Sequence, residues 1–142
     1  MAGSLTPLPI VWQRLVSEGH TCLRCGSTQQ NVINAIGRLA AALKPLGIEP
    51  VLETRAIDDA AFRADPSQSN RVWIAGKPIE DWLGAAVGAS PCCSVCGALP
   101  CRTVEVGGQT HEAIPEALIV EAALIAAAQI IESAPARPSA SR

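Results

Sequence analysis

Cys22-Leu23-Arg24-Cys25 lies between two stretches of different periodicity. Before it, Ile10-Val11-Trp12-Gln13-Arg14-Leu15-Val16 is rich in β-branched, apolar and aromatic residues and reads as a strand. After it, Val32, Ile33, Ile36, Leu39, Ala40 and Leu43 recur at helical spacing and predict an amphipathic helix over residues 28–43. Pro45 and Gly47 end that helix, and Thr21 suits its N-cap. A thiol pair at a strand-to-helix junction confines the chain to a βαβ-type plan. There a thiolate faces a helix N-terminus, whose partial positive charge favours the ionised sulfur.

The rest of the chain fits such a plan. A second strand is expected over residues 48–57, a short helical turn over 58–63, a polar loop over 65–70 and a third strand over 71–75. Gly76-Lys77 marks a tight turn, and a helical piece starts at Glu80. Residues 84–101 read as a Cys-rich loop of Gly, Ala, Ser and Cys, a length that in a compact domain points to function. A β-hairpin about Gly107-Gly108 follows, and Pro115 suits the first position of a last helix running to about residue 132. One domain is therefore expected over residues 10–132, after a flexible arm at 1–9 and before a disordered tail at 133–142.

Bulk properties narrow the function. Hydrophobic residues make up 49% and charged residues 17%, enough to bury a core, and the net charge of -2 comes without any basic block. No electrostatic footprint for nucleic acid results. The aromatic residues are Trp12, Trp73, Trp82 and Phe62, too few for stacking platforms. The N-terminus carries no secretory pattern. The most apolar segment, residues 117–131, is interrupted by Glu121 and is shorter than the roughly 18–20 residues of a membrane span. It is read as a helix that is deeply buried or half in an interface, so helix 115–132 is the expected contact with an oligomeric or complex partner. No membrane association is expected, and a cytoplasmic location follows by default. Cysteines there stay mostly reduced and serve as reactive groups or ligands.

A further set of segments carries a resemblance. Val11-Trp12-Gln13-Arg14-Leu15, Cys22-Leu23-Arg24-Cys25, Ser69-Asn70-Arg71-Val72-Trp73-Ile74, Cys92-Cys93-Ser94-Val95-Cys96-Gly97 and Cys101-Arg102-Thr103 resemble a bacterial and archaeal family catalogued as domain of unknown function 2703, itself similar to thioredoxin-like proteins. The resemblance spans roughly residues 10 to 130. It implies an α/β fold: a thioredoxin-like mixed sheet flanked by helices, with a Cys-rich loop insertion. Two departures stand out against the wider thioredoxin superfamily. Leu23-Arg24 replaces the usual Gly-Pro between the cysteines. The position of the cis-proline that faces the thiol pair, and helps to keep metals off it, falls near Ser69-Asn70, with Pro66 the nearest proline.

Two groups of cysteines carry the chemistry. Cys22 and Cys25 are the candidate catalytic pair, Cys22 as nucleophile and Cys25, one turn on, as resolving thiol. Arg24 and His20 would favour the Cys22 thiolate. The bland alternative is that both fill space as small hydrophobes. Cys92, Cys93, Cys96 and Cys101 form the second group, a candidate metal site. Cys93 and Cys96 have half-site spacing for zinc and Cys101 would add a third thiolate, while adjacent Cys92 and Cys93 rarely share one ion. Cys22, Cys25 or His111 would then complete the set. Three thiolates alone suit arsenite, mercury(II) or copper(I). The alternatives are a relay, in which Cys22 and Cys25 exchange with a loop pair, and an inert reduced loop.

The leading expectation is a thiol-dependent redox protein acting on a protein thiol or disulfide partner, a thiol-disulfide oxidoreductase. No cofactor is required for it, although zinc or another thiophilic metal would fit the second cluster. The other readings are a binding protein for a soft metal or metalloid ion and an accessory subunit with structural zinc. Arg71 and Arg102 flank strands and are read as surface charges, with anion binding near the thiols as the alternative. His111 is read as a solvated hairpin residue, and Trp73 and Trp82 as core.

Overall fold

A computed structural model describes residues 5–19, 23–90 and 100–133. Its elements are β1 (Thr6–Leu15), α1 (Leu23–Leu43), β2 (Ile48–Ile57), α2 (Asp59–Ala64), β3 (Arg71–Ile74), β4 (Lys77–Pro78), α3 (Ile79–Leu83), β5 (Ala86–Ser90), β6 (Cys101–Val106), β7 (Gln109–His111) and α4 (Glu116–Ser133). Short 3-10 turns at Lys44–Leu46 and Pro66–Gln68 precede β2 and β3.

Four strands form a mixed sheet in the order β2-β1-β3-β4. β1 runs parallel to β2, from Thr6 opposite Ile48 to Leu15 opposite Ile57, and antiparallel to β3, with Val11 opposite Trp73. A parallel pair needs a crossover, and α1 supplies it. β3 returns antiparallel into β4 through Ala75 and Gly76, both at positive φ (+54° and +80°), the backbone of a two-residue hairpin turn. This β-α-β, β-β-α arrangement is the thioredoxin-like plan. A second, antiparallel sheet, β5-β6-β7, follows it.

β1 begins at Thr6, so part of the expected arm is strand. Pro7 and Pro9 lie within this strand, although proline gives a ladder no N–H. The Thr6 N–H donates to Gly47 O on the β2 side at 2.8 Å. Donors alternate in direction along a strand, so the nitrogens of Pro7 and Pro9 face away from β2 and cost that ladder nothing. The Pro9 carbonyl, on the other side, accepts the Ala75 N–H at 2.9 Å.

The core forms between the mixed sheet and helices α1 and α4. Leu8, Ile10, Trp12 and Leu15 of β1 are buried, as are Val72 and Ile74 of β3. The buried stripe of α1 is Cys25, Thr28, Val32, Ala35, Leu39 and Leu43, in steps of three and four. Ile33 and Ala40, expected on that face, are exposed. Each is one residue, about 100° of helical turn, beyond a buried position. The helix also starts earlier than its periodicity suggested, so Cys25 sits in its first turn.

α4 buries Ile119 and the small residues Ala122, Ala123, Ala126 and Ala127, and it packs against α1 and α3. Leu124, Ile125 and Ile131 remain exposed, so the helix is apolar on more faces than the domain covers. No helix among the described residues is long and apolar enough to cross a membrane.

Inside the stretch expected as a Cys-rich loop, Ala86–Ser90 is a strand paired with β6. Gly88 lies opposite Thr103, and a Cβ at Gly88 would stand 2.9 Å from Thr103 Oγ1, so only glycine fits there without a shift. Residues 91–99 of that loop and 134–142 of the expected tail lie outside the described residues.

Candidate thiol site

The site is built around the segment that leads into β3. Asp65 accepts from the Ser67 N–H (3.1 Å), the Ser67 hydroxyl (2.6 Å) and Gln68 Nε2 (3.0 Å), which shapes the 3-10 turn opened by Pro66. These bonds, the Ser67 hydroxyl first, hold the Asp65 carboxyl below the usual carboxylate range. The turn is tied to its surroundings at two carbonyls. Gln13 Nε2 donates to Gln68 O at 2.8 Å, and Arg102 Nη1 donates to Ser67 O at 3.0 Å.

Asn70 follows at φ +60°, a conformation that asparagine tolerates better than most residues. Its side chain bridges two elements. Trp12 Nε1 donates to Asn70 Oδ1 at 3.4 Å, and Asn70 Nδ2 donates to Glu112 O at 3.0 Å. The connection between β7 and α4 is in turn pinned to α1. The Ile114 N–H donates to Thr28 Oγ1 at 3.1 Å, and Asn31 Nδ2 donates to Ile114 O at 2.8 Å.

Ser69 is held between these anchors with no exposed surface. Its Oγ accepts the Leu15 N–H at 3.0 Å, at the end of β1, and lies 3.5 Å from Cys25 Sγ. Cys25 carries a thiol and is 1% exposed. The end of the central strand, the first turn of α1 and the approach to β3 therefore meet at one sulfur. The segment expected from the resemblance to face the thiol pair does face Cys25.

Behind the same segment lies a buried ionic group. Glu80 Oε2 accepts from Arg102 Nη2 and stands 3.7 Å from Arg71 Nη2. The side chains of Arg102 and Glu80 are 5% and 10% exposed, so solvent screens the pair little. Arg71 also lies over the Trp73 ring, 4.4 Å from its centroid. Burial first, then the like charge of Arg102, press the Arg71 guanidinium below its ordinary pKa, while Glu80 acts in the opposite direction. The reading of Arg71 and Arg102 as surface charges is corrected: Glu80 and the Ser67 carbonyl give them inward partners. The Nε atoms of both arginines are buried, with no hydrogen-bond partner among the described residues.

Of the second cysteine group, Cys101 is described. It is fully buried at the start of β6 and is disulfide-bonded. A sulfur in a disulfide is not a thiolate, so in this state Cys101 is not a metal ligand. Cys22, Cys92, Cys93 and Cys96, with His20 and the expected cap Thr21, lie outside the described residues. His111 is half-buried on β7, opposite Val104. Among the described residues no three His, Cys, Asp or Glu side chains gather as a metal site.

The resemblance pointed to the Ser69-Asn70 segment, but sequence reasoning gave the Ser69 hydroxyl no role and did not single out Thr28 or Glu80. Thr28 was the more accessible of these two, since it lies three residues from Cys25 and so on the same helix face.

Fold and site together define a thioredoxin-like α/β domain with a buried thiol in the first turn of its crossover helix. More particularly, the chain belongs to the family described as Domain of unknown function (DUF2703), whose sequence profile matches residues 8–123. It is similar to an uncharacterized protein of Archaeoglobus fulgidus, 42% identical over 112 residues that make up 79% of this chain and 82% of that one. No solved structure matches the chain.

Proposed function

We propose that this protein is a thiol-disulfide oxidoreductase in which Cys22 is the nucleophile and Cys25 the resolving thiol. The observation that carries this reading is the burial of the Cys25 thiol in the first turn of α1, against Ser69 of the segment entering β3. A resolving thiol needs such a place: shielded from other reactants, and one helical turn from the nucleophile. The Cys22 thiolate attacks a substrate disulfide, forming a mixed disulfide and releasing one substrate thiolate. Cys25, as thiolate, then attacks Cys22 Sγ. A Cys22–Cys25 disulfide forms and the second substrate thiolate leaves, each departing thiolate taking a proton. The substrate disulfide is reduced and the protein dithiol oxidised. A dithiol reductant of the cytoplasm restores the pair.

The disulfide at Cys101 supports a relay role for the second cysteine group, whose members Cys92, Cys93 and Cys96 would pass oxidising equivalents to or from the Cys22–Cys25 pair. A second reading is capture of arsenite, mercury(II), copper(I) or zinc by the same thiols. It is favoured by Ser69, a polar residue near the position where the wider superfamily carries the proline that keeps metals off the thiol pair.

Reduction of insulin disulfides by the full chain, with dithiothreitol as reductant, separates the two. The redox reading expects Cys22→Ser to abolish reduction, Cys25→Ser to accumulate mixed disulfide, and bound metal to be unchanged. Loss of ion binding in Cys22→Ser, with no disulfide reduction by the unsubstituted chain, would replace it with the capture reading.

A further inference from the structure

We infer that Ser69 is a positioning residue for the resolving step, its hydroxyl donating a hydrogen bond to Cys25 Sγ when that sulfur is a thiolate. This rests on the role given to Cys25 above. The direction of the bond follows from its neighbours. Ser69 Oγ already accepts the Leu15 N–H at 3.0 Å, which occupies a lone pair and leaves the hydroxyl proton to point elsewhere. Cys25 Sγ lies 3.5 Å away, within range for a bond to sulfur. A thiolate has no proton to give, so in the ionised state the hydroxyl is the donor.

Chemistry makes this bond matter. A sulfur 1% exposed pays a desolvation cost to ionise, yet only its thiolate can attack the mixed disulfide. On the reading of Cys22 as the nucleophile at the helix start, the helix terminus would favour its charge. Cys25 is inside, and the Ser69 hydroxyl offsets part of the cost.

The hydroxyl is held in place. Asp65 shapes the turn before it, Gln13 and Arg102 anchor the carbonyls of Gln68 and Ser67, and Asn70 ties the following residue to Trp12 and Glu112. Ser69 cannot turn away without breaking the bond to Leu15. Among the described residues the charged groups in this bonded network are Arg102, with Glu80 and Arg71 behind it, and Asp65. Each is bonded through neighbours of Ser69 and not through Ser69 itself, so a substitution at Ser69 leaves them in place. The bond involves no net proton transfer: during resolution the Cys25 electron pair goes to Cys22 Sγ, and the Ser69 proton stays on its oxygen.

The test is a pH titration of the full chain labelled with 13Cβ-cysteine, kept reduced under nitrogen and followed by NMR. The Cys25 resonance is assigned by its loss in Cys25→Ser. A hydrogen bond to a charged group has a strength corresponding to a rise of roughly one to two pH units in the Cys25 midpoint when it is removed. Ser69→Ala is expected to show that rise, and Ser69→Thr to restore the original midpoint. Ser69→Gly serves in the same way should the alanine variant not fold. An unchanged midpoint in the variant lacking the hydroxyl, or an equal rise in Ser69→Thr, would overturn the inference. The readout needs no substrate. A midpoint that moves as expected in a chain that reduces no disulfide would uphold Ser69 as a donor to Cys25 and overturn the redox reading alone.

Discussion

Glu80→Gln removes one charge from a buried group of three while leaving the side chain almost the same shape. In the native chain the Glu80 carboxylate balances Arg102 directly and faces Arg71 at 3.7 Å. Glutamine keeps an acceptor oxygen but leaves two guanidiniums together without the carboxylate that bonds Arg102, and the weaker fields of Asp65 and Asp81 still act on Arg71. Arg102 is 5% exposed and Arg71 18%, so water can compensate the second only in part. Breaking a buried ion pair by removing one partner typically costs about 3–5 kcal/mol, because the surviving charge keeps its desolvation penalty. The expected loss lies in that range, a large share of the roughly 5–15 kcal/mol that holds a domain folded. Arg102→Met should cost less, since Glu80 retains Arg71 and one guanidinium need no longer be buried. Urea unfolding followed by tryptophan fluorescence, with m-values compared, measures both. A Glu80→Gln loss below about 1 kcal/mol, or one smaller than that of Arg102→Met, would refute the reasoning and mean that the group is solvated.

Three further outcomes are expected. Thr28→Val deprives the Ile114 N–H of its acceptor inside the core, which should lower unfolding free energy by about 1–3 kcal/mol in a urea titration; no loss would mean that this amide finds another partner. Gly88→Ala should destabilise by about 1–3 kcal/mol, because its Cβ would meet Thr103 Oγ1, and the cost should shrink in a Thr103→Ala background; additive losses in that double-mutant cycle would place the strain elsewhere. Asp65 has a carboxyl depressed by its bonds to Ser67 and Gln68, so its contribution to stability is present above the unfolded-state pKa of about 3.9 and is lost as pH falls through the lower folded-state value. Asp65→Asn should flatten the stability-pH curve in that acid window, and equal slopes for the two chains would contradict this. Since Asp65 is solvent-exposed, the effect is small.

How far the fold was legible depends on whether local pattern or tertiary contact decided each element. The centre of β1, the body of α1, β3, the Gly107-Gly108 hairpin and α4 follow from apolar periodicity and turn residues, and all are present. β5 escaped because Ala86-Val87-Gly88-Ala89-Ser90 has almost no β-branched residues. It is a strand because β6 offers a partner and Gly88 fits against Thr103. The start of β1 carries two prolines, and only the observed register shows that their missing donors face away from β2. The placement of the thiol pair was legible for Cys25. The resemblance placed the Ser69-Asn70 segment opposite the thiol pair, but not the hydroxyl contact itself, which spans 44 residues and depends on which of several hydroxyls in a polar loop turns inward. Arg71 and Arg102 misled for a similar reason. Charged residues flanking strands are usually solvated, and the acidic partner that draws them inside, Glu80, lies on a short helix with no distinguishing local signal.

The central claim is that Cys22 and Cys25 form one reversible dithiol-disulfide couple. The most direct measurement is a redox titration of the full chain in dithiothreitol buffers of graded potential, quenched by alkylation and read by peptide mass mapping. The account predicts that Cys22 and Cys25 lose their labels together, in one two-electron step, and regain them on reduction. Labels that persist on both across the whole range, or a disulfide that joins either residue to another cysteine without a Cys22–Cys25 bond ever accumulating, would contradict it.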